Sequence, residues 1–158
     1  MKGAESIASA IFLARNGASK EEIRIYIESN FHYTLDFSIE KLRKIYQFDE
    51  TCQGSVPQSF YCFLISNSFE DAIRKSISIG GDSDTIACMT GSIAEAFYGS
   101  IPSRIIQETN KRLPQEFLNV IKKFETYKVN KNSVSTETPK TGDTILSPQV
   151  YKTYRSHD

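Results

Sequence analysis

A short acidic segment is the part of this sequence best suited to chemistry. Gly80 and Gly81 precede Asp82, Asp84 and Thr85 within six consecutive residues. Two glycines allow the chain to turn sharply, because they adopt backbone angles that other residues avoid. The two carboxylates and the hydroxyl are hard oxygen ligands of the kind that Mg²⁺, Mn²⁺ or Ca²⁺ prefers. The spacing therefore predicts a divalent-cation site with Asp82, Asp84 and Thr85 as ligands.

A purely structural interpretation of the same residues stays open. Asp82 or Ser83 is a good N-cap for a helix, and Asp84 complements the dipole at the helix start. A cap needs only one side chain, however, and here two acids and a threonine follow a glycine pair and precede an apolar helix. A calcium-binding EF-hand loop is excluded, because Ala87 stands where glycine is needed and Ile93 where a bidentate glutamate is needed.

Helical periodicity surrounds the acidic segment. The spacing from Ser83 predicts the longest and most apolar helix, ending at Gly99 and central to the fold, with inward residues Ile86, Met89, Ile93, Ala94 and Phe97. Similar stripes of apolar residues at helical spacing predict seven or eight short helices over residues 1–127, and no segment there has a convincing strand pattern. The fold class is therefore all-α, a compact multi-helix bundle.

Local signals predict where several other helices begin. Ser19 with Glu22 has the form of a capping box, and Ser38 and Ser68 are further candidate caps. We expect residues 49–56 to form a loop. Pro57 would then begin the next helix, since its missing N–H is no loss in a first turn.

Composition limits the classes of function. The 158 residues include 19 Lys and Arg and 19 Asp and Glu. The sequence therefore lacks the excess of basic residues that is typical of proteins that bind nucleic acids or anionic membranes. No run of about 18 apolar residues predicts a membrane span, and the start of the chain does not resemble a secretory signal. Cys52, Cys62 and Cys88 have no metal-binding spacing. We expect three free, mostly buried thiols in a reducing cytoplasm.

The composition changes after Tyr127. Only 7 of the 31 residues from 128 to 158 are apolar. Such a segment buries too little surface to offset the entropy of ordering it, so we predict a helical domain over residues 1–127 and a disordered tail over 128–158.

Three blocks in order resemble one enzyme family. The segment from Gly80 to Gly99, with its glycine pair and acids, is similar to the C-terminal signature of the ADP-ribosylglycohydrolases, the group related to dinitrogenase reductase-activating glycohydrolase. Residues 2–17 resemble a middle segment of that family. Residues 52–57, Cys-Gln-Gly-Ser-Val-Pro, resemble the loop before the signature. The resemblance covers about residues 1–126.

This resemblance implies an all-α hydrolase that uses Mg²⁺ or Mn²⁺ to cleave a bond at the anomeric carbon of ADP-ribose. The residues that match the family's C-terminal metal ligands are Asp82, Asp84 and Thr85. It also implies that Gly80 and Gly81 bring backbone close to the substrate and that Ser55 faces the site. The resemblance assigns no catalytic acid or base in this chain.

The family's other metal-binding motif, of the Thr-Asp-Asp-Thr type, does not occur in the sequence. Two hypotheses follow. The chain is an ADP-ribosyl hydrolase polypeptide whose missing ligands come from another chain, or it is a truncated, inactive remnant that acts as a binding or regulatory module. A plain helical interaction domain is a third alternative. The first hypothesis, an active enzyme, predicts ADP-ribose or an ADP-ribosylated substrate as ligand. The second predicts an exposed apolar face that leads to self-association or to a partner chain.

Overall fold

The computed structural model describes residues 2–132, with side chains described for residues 2–126. This part of the chain forms helices and no strand, which confirms the all-α prediction. The helices are α1 Lys2–Arg15, α2 Lys20–Phe31, α3 Ile39–Ile45, α4 Cys52–Leu64, α5 Phe69–Ser78, α6 Ser83–Tyr98, α7 Ser103–Asn110 and α8 Gln115–Asn132. The chain divides between Thr109 and Asn110 into two compact units.

Helix α6 is the centre of the first unit. It packs against α1, α4 and α5, and its inward residues Ile93 and Ala94 have no exposed surface. Thr90 of α6 donates a hydrogen bond to the Ser59 carbonyl of α4 across 3.1 Å, so the polar group is satisfied where the two helices meet. The predicted central position is confirmed, although α8 of the second unit is longer, at 18 residues against 16.

The core of the first unit joins five of its helices (α1, α2, α4, α5 and α6) and the segment after α2. Its fully buried members Ile23, Ile27, Phe60, Ile93 and Leu35 belong to one apolar cluster. Phe63 of α4 and Phe97 of α6 meet edge to face with centroids 5.3 Å apart. These contacts fix the packing of α6 against α4.

Lys20 joins the start of α2 to the end of α4. Its ammonium group donates to the carbonyl oxygens of Leu64 (3.2 Å), the last residue of α4, and of Ser66, two residues beyond it. It also lies over the ring faces of Phe63, Phe97 and Tyr98, between 5.2 and 5.6 Å from the centroids. A cation placed there satisfies the carbonyl groups at a helix end and gains cation–π attraction.

Two local predictions were wrong. Residues 52–56 are helical, because the Thr51 side chain accepts a hydrogen bond from the Gly54 N–H at 3.1 Å and starts α4 at Cys52. Pro57 therefore lies inside the helix and not in its first turn. The cysteines are mostly exposed, since only Cys62 is buried while Cys52 and Cys88 are exposed.

Helix α8 lies in the second unit and continues to Asn132. Residues 128–132 of the predicted tail are thus helical. Residues 133–158, the remainder of that tail, lie outside the described residues, so the predicted division at 127 stays a prediction.

Candidate functional site

Asp82 stands at the N-cap position of α6, directly before Ser83. Only 8% of the residue is exposed. Its backbone angles, φ −77° and ψ 54°, lie outside the extended region of ordinary N-caps, and its side chain accepts no capping hydrogen bond from the helix. The capping interpretation therefore does not account for Asp82, a mostly buried residue whose side chain makes no capping hydrogen bond.

Asp84 and Thr85 lie on the exposed first turn of the same helix. The pKa of Asp84 is lowered, first by the backbone N–H of Thr85 and then by a side-chain hydrogen bond with Asp82. The carboxyl groups of Asp82 and Asp84 thus lie close together, and its lowered pKa keeps Asp84 ionised at neutral pH. Two adjacent carboxyl groups favour a shared cation or a shared proton.

The turn before Asp82 depends on its glycines. Gly80 and Gly81 have φ values of 79° and 59°, in the left-handed region that suits glycine. A Cβ on Gly81 would lie 2.6 Å from Cε1 of Tyr46, whereas a Cβ on Gly80 would meet nothing within 4 Å. The first glycine is thus needed for its backbone angle, and the second for its angle and for the space beside it.

Ser55 lies in the first turn of α4 and not in a loop. The residue is buried, and its hydroxyl donates to the Thr51 carbonyl at 2.8 Å. The hydroxyl proton is therefore already used within the helix. The predicted contact between Ser55 and substrate, like those of Gly80 and Gly81, stays a prediction.

Tyr46 connects the acidic segment to α4, a role that sequence reasoning missed. Its hydroxyl donates to the Gly54 carbonyl at 2.7 Å, and its ring fills the space beside Gly81. Burial raises the pKa of Tyr46, and the negative charges of Asp49 and Asp82 raise it further. In the sequence, Tyr46 only continues the apolar spacing of Ile39, Leu42 and Ile45, and this spacing carries no information about the partners of its ring and hydroxyl.

A cleft of about 830 Å³ lies beside Tyr46. It is bounded by the segment before α3, one side of α3, the segment that follows it and the first turns of α4. The lining residues are Asp36, Phe37, Ser38, Lys41, Leu42, Ile45, Tyr46, Gln47, Phe48, Asp49, Gly54 and Gln58. The volume is in the range of small-molecule sites.

Gln58 is the unusual polar residue of this cleft. Its relative exposure is only 9%, yet Oε1 of its amide has no hydrogen-bond partner. A buried amide oxygen without a partner is costly, and such atoms commonly mark a position that a ligand or water satisfies. No signal in the sequence distinguishes Gln58 from an ordinary helical glutamine.

Asp49 secures the entrance to α4. Its carboxylate accepts a hydrogen bond from the Thr51 N–H at 2.8 Å, and bonds to Thr51 lower its pKa. A Cβ on Gly54 would overlap the same carboxylate. Asp49 therefore holds the Thr51 cap in place beside the cleft.

The donor set fits part of a hard-cation site. Asp82, Asp84 and Thr85 carry oxygen ligands on one helix start, which suits Mg²⁺ or Mn²⁺. No group of three or more His, Cys, Asp or Glu residues within residues 2–132 could by itself hold a metal ion. The described side chains therefore supply some ligands of an octahedral ion, and water, substrate or further protein groups must supply the others.

Together these features define a class: an all-α domain that presents two neighbouring carboxyl groups and a hydroxyl at the start of its central helix. Tyr46 lies against the turn before these residues and also lines a mixed aromatic and polar cleft. Residues 3–132 match the family model described as ADP-ribosylglycohydrolase. The chain belongs to the ADP-ribosylglycohydrolase family, which confirms the resemblance in its sequence.

Individual relatives match shorter stretches. Human ADP-ribosylhydrolase ARH3 is 46% identical over 56 residues, covering 28% of this chain and 15% of the human protein. The zebrafish (Danio rerio) protein of that name is 43% identical over 61 residues, 30% of this chain and 16% of the relative. An uncharacterized protein of Archaeoglobus fulgidus is 36% identical over 63 residues, 40% of this chain and 20% of the relative. No solved structure matches the chain.

The chain thus spans between about one seventh and one fifth of the length of these relatives. Among the helices of residues 2–132, none is long and apolar enough to cross a lipid bilayer.

Proposed function

We propose that this chain contributes the C-terminal part of the active site of a divalent-metal-dependent hydrolase that cleaves a bond at the anomeric carbon of ADP-ribose. The observation that carries the proposal is the position of Asp82, a residue only 8% exposed whose side chain makes no capping hydrogen bond and lies beside the Asp84 carboxyl group. Membership of the ADP-ribosylglycohydrolase family supports the reaction class. The ligand is ADP-ribose or an ADP-ribosylated substrate.

Asp82, Asp84 and Thr85 would hold Mg²⁺ or Mn²⁺. When bound, such an ion supplies Lewis acidity and a template for the ribose hydroxyls. The backbone at Gly80 is open, since even a Cβ there would meet nothing within 4 Å, which supports close approach of the sugar. The corresponding side of Gly81 is filled by the Tyr46 ring. The remaining ligands would come from another chain or from a protein segment outside these residues.

The cleft beside Tyr46 would take the nucleotide portion of the ligand. Aromatic side chains at Phe37, Tyr46 and Phe48 suit a planar base. The amide of Gln58 pairs a donor with an acceptor, which is the pattern that recognises an adenine edge. A base there would satisfy the amide oxygen that otherwise has no partner.

The reaction is an addition of water across the bond to the anomeric carbon. The water oxygen forms the new bond to that carbon while the bond to the leaving nitrogen or oxygen breaks, and the leaving atom gains a proton. Asp84, with its lowered pKa, remains an ionised oxygen donor through the neutral range and so favours a cation over a proton at neutral pH.

Calorimetric titration with Mn²⁺, with and without ADP-ribose, tests the proposal. We expect Asp82→Asn and Asp84→Asn each to weaken Mn²⁺ binding by at least about tenfold, because each removes a charged ligand. Glu21→Gln is the matched control, since Glu21 is an acid in the first turn of α2. Equal Mn²⁺ affinity in the wild type and both Asn variants would refute the metal site.

A second candidate function is a module that binds ADP-ribose without turning it over. The lack of a complete set of three metal-binding acids, histidines or cysteines in residues 2–132 favours it. Release of free ADP-ribose from an ADP-ribosylated peptide, assayed with the chain or segment that supplies the remaining ligands present, separates the two functions. Binding without release supports the module, and release that Asp82→Asn abolishes supports the hydrolase. The cytoplasmic location stays a prediction.

A further inference from the structure

The ring of Tyr46 fills the space beside the glycine turn that leads into α6. Tyr46 is the C-cap residue of α3. A Cβ on Gly81 would lie 2.6 Å from its Cε1 and 2.9 Å from its Cδ1, distances at which something must move. The ring therefore limits how closely the Gly80–Gly81 turn can approach α3, and Asp82 is the next residue.

The hydroxyl of the same side chain reaches a different element. It donates to the Gly54 carbonyl at 2.7 Å, in the first turn of α4 and directly before Ser55. One rigid aromatic side chain thus contacts both backbone segments that flank the candidate site. Its ring lies against the turn before Asp82, and its hydroxyl bonds to the turn that carries Ser55.

We infer that Tyr46 is a positioning residue of this site: its ring sets the position of Asp82, and its hydroxyl sets the first turn of α4. This inference rests on the proposed function only in the experiments that use Mn²⁺ as the probe. An ordinary packing residue would change stability alone. A positioning residue with two separate contacts must affect the two sides of the site separately.

The first experiment compares Tyr46→Phe with Tyr46→Ala. Phenylalanine keeps the ring and loses the hydrogen bond, so we expect unchanged Mn²⁺ affinity but about fivefold weaker ADP-ribose binding in saturating Mn²⁺. Alanine loses both contacts, and we expect Mn²⁺ affinity to fall about tenfold as well. Tyr26→Ala is the control, because Tyr26 is a partly buried tyrosine of α2 that packs on Phe31 and does not line the cleft.

The second experiment needs no metal. Gly80→Ala and Gly81→Ala both place alanine at a left-handed backbone angle, but only the Gly81 variant meets Tyr46. In urea unfolding, Tyr46→Ala should partly rescue Gly81→Ala and should not rescue Gly80→Ala. Direct contact between Tyr46 and residue 81 requires that the two substitutions have non-additive effects on the free energy of unfolding.

The outcomes are separable. If the wild-type chain takes up no Mn²⁺, the proposed function fails, while the urea experiment still decides whether Tyr46 sets the glycine turn. If Mn²⁺ binds and Tyr46→Ala binds it as tightly as the wild type, Tyr46 does not position Asp82. Additive effects of Tyr46→Ala and Gly81→Ala on unfolding would overturn the inference as a whole.

Discussion

At the scale of single residues, the same chemical group serves different purposes in different surroundings. Asp49 binds the Thr51 N–H and secures a helix start, whereas Asp82 occupies a helix start and binds no such N–H. Both precede helices, so their sequence contexts look alike. The difference is burial without a backbone partner, and this difference makes Asp82 the better candidate for a ligand.

The three thiols provide a residue-scale prediction. Burial raises the pKa of the Cys62 thiol to about 12, so its nucleophilic thiolate form is scarce near neutral pH. Cys52 and Cys88 are exposed. We expect iodoacetamide at about pH 8 to modify these two rapidly in the folded protein and Cys62 only after unfolding. Peptide mass spectrometry measures the order of modification, and early labelling of Cys62 would contradict the packing around it.

At the scale of elements, helix starts follow local hydrogen bonds. Ser19 accepts from the Glu22 N–H at 3.2 Å, and the Glu22 carboxylate accepts from the Ser19 N–H at 2.7 Å, so the predicted capping box of α2 is confirmed. Ser38 and Ser68 also cap α3 and α5 as predicted. The predicted start of α4 at Pro57 was wrong because the Thr51 side chain accepts a hydrogen bond from the Gly54 N–H and starts the helix earlier.

The capping box makes the stability of α2 depend on pH. Bonds from Ser19 lower the pKa of Glu22 below its usual 4.5. Because the folded-state pKa is lowered, the stabilisation is complete above the unfolded-state pKa and disappears as pH falls through the folded-state value. We therefore expect Glu22→Gln to lower the Tm at pH 7, and we expect the Tm values of the variant and the wild type to converge in more acidic solution.

Thermal unfolding monitored by circular dichroism between about pH 7 and pH 3 measures this difference. Glu21→Gln removes a neighbouring first-turn acid that is outside the box. Its effect on the Tm at pH 7 should be smaller than that of Glu22→Gln, because no hydrogen bond with Ser19 is lost. If the Tm difference between Glu22→Gln and the wild type did not depend on pH, the capping box would contribute little to the stability of the protein.

At the scale of the whole molecule, the chain corresponds to a small part of longer relatives and exposes apolar side chains. Ile45 is 60% exposed and Phe48 is 63% exposed, and both line the cleft. Adjacent exposed apolar residues favour association. We expect concentration-dependent self-association in sedimentation velocity, reduced in the double variant Ile45→Lys with Phe48→Lys.

Ile77→Lys is the control for that experiment, since Ile77 is 55% exposed on α5 and does not line the cleft. It should leave the sedimentation profile unchanged. A wild-type chain that sediments as a monomer at every concentration would contradict the expected self-association.

The sequence alone determined the helical class, most helix starts and the grouping of Asp82, Asp84 and Thr85. These follow from short-range physics: 3.6-residue periodicity, caps made three residues apart, and the position of acids at a helix start. Tertiary structure decided which residues from distant parts of the chain surround those acids. The contact of Tyr46 with Gly81 and the burial of Gln58 beside the cleft depend on how α3, α4 and α6 pack, and a pattern of neighbouring residues carries no record of that packing.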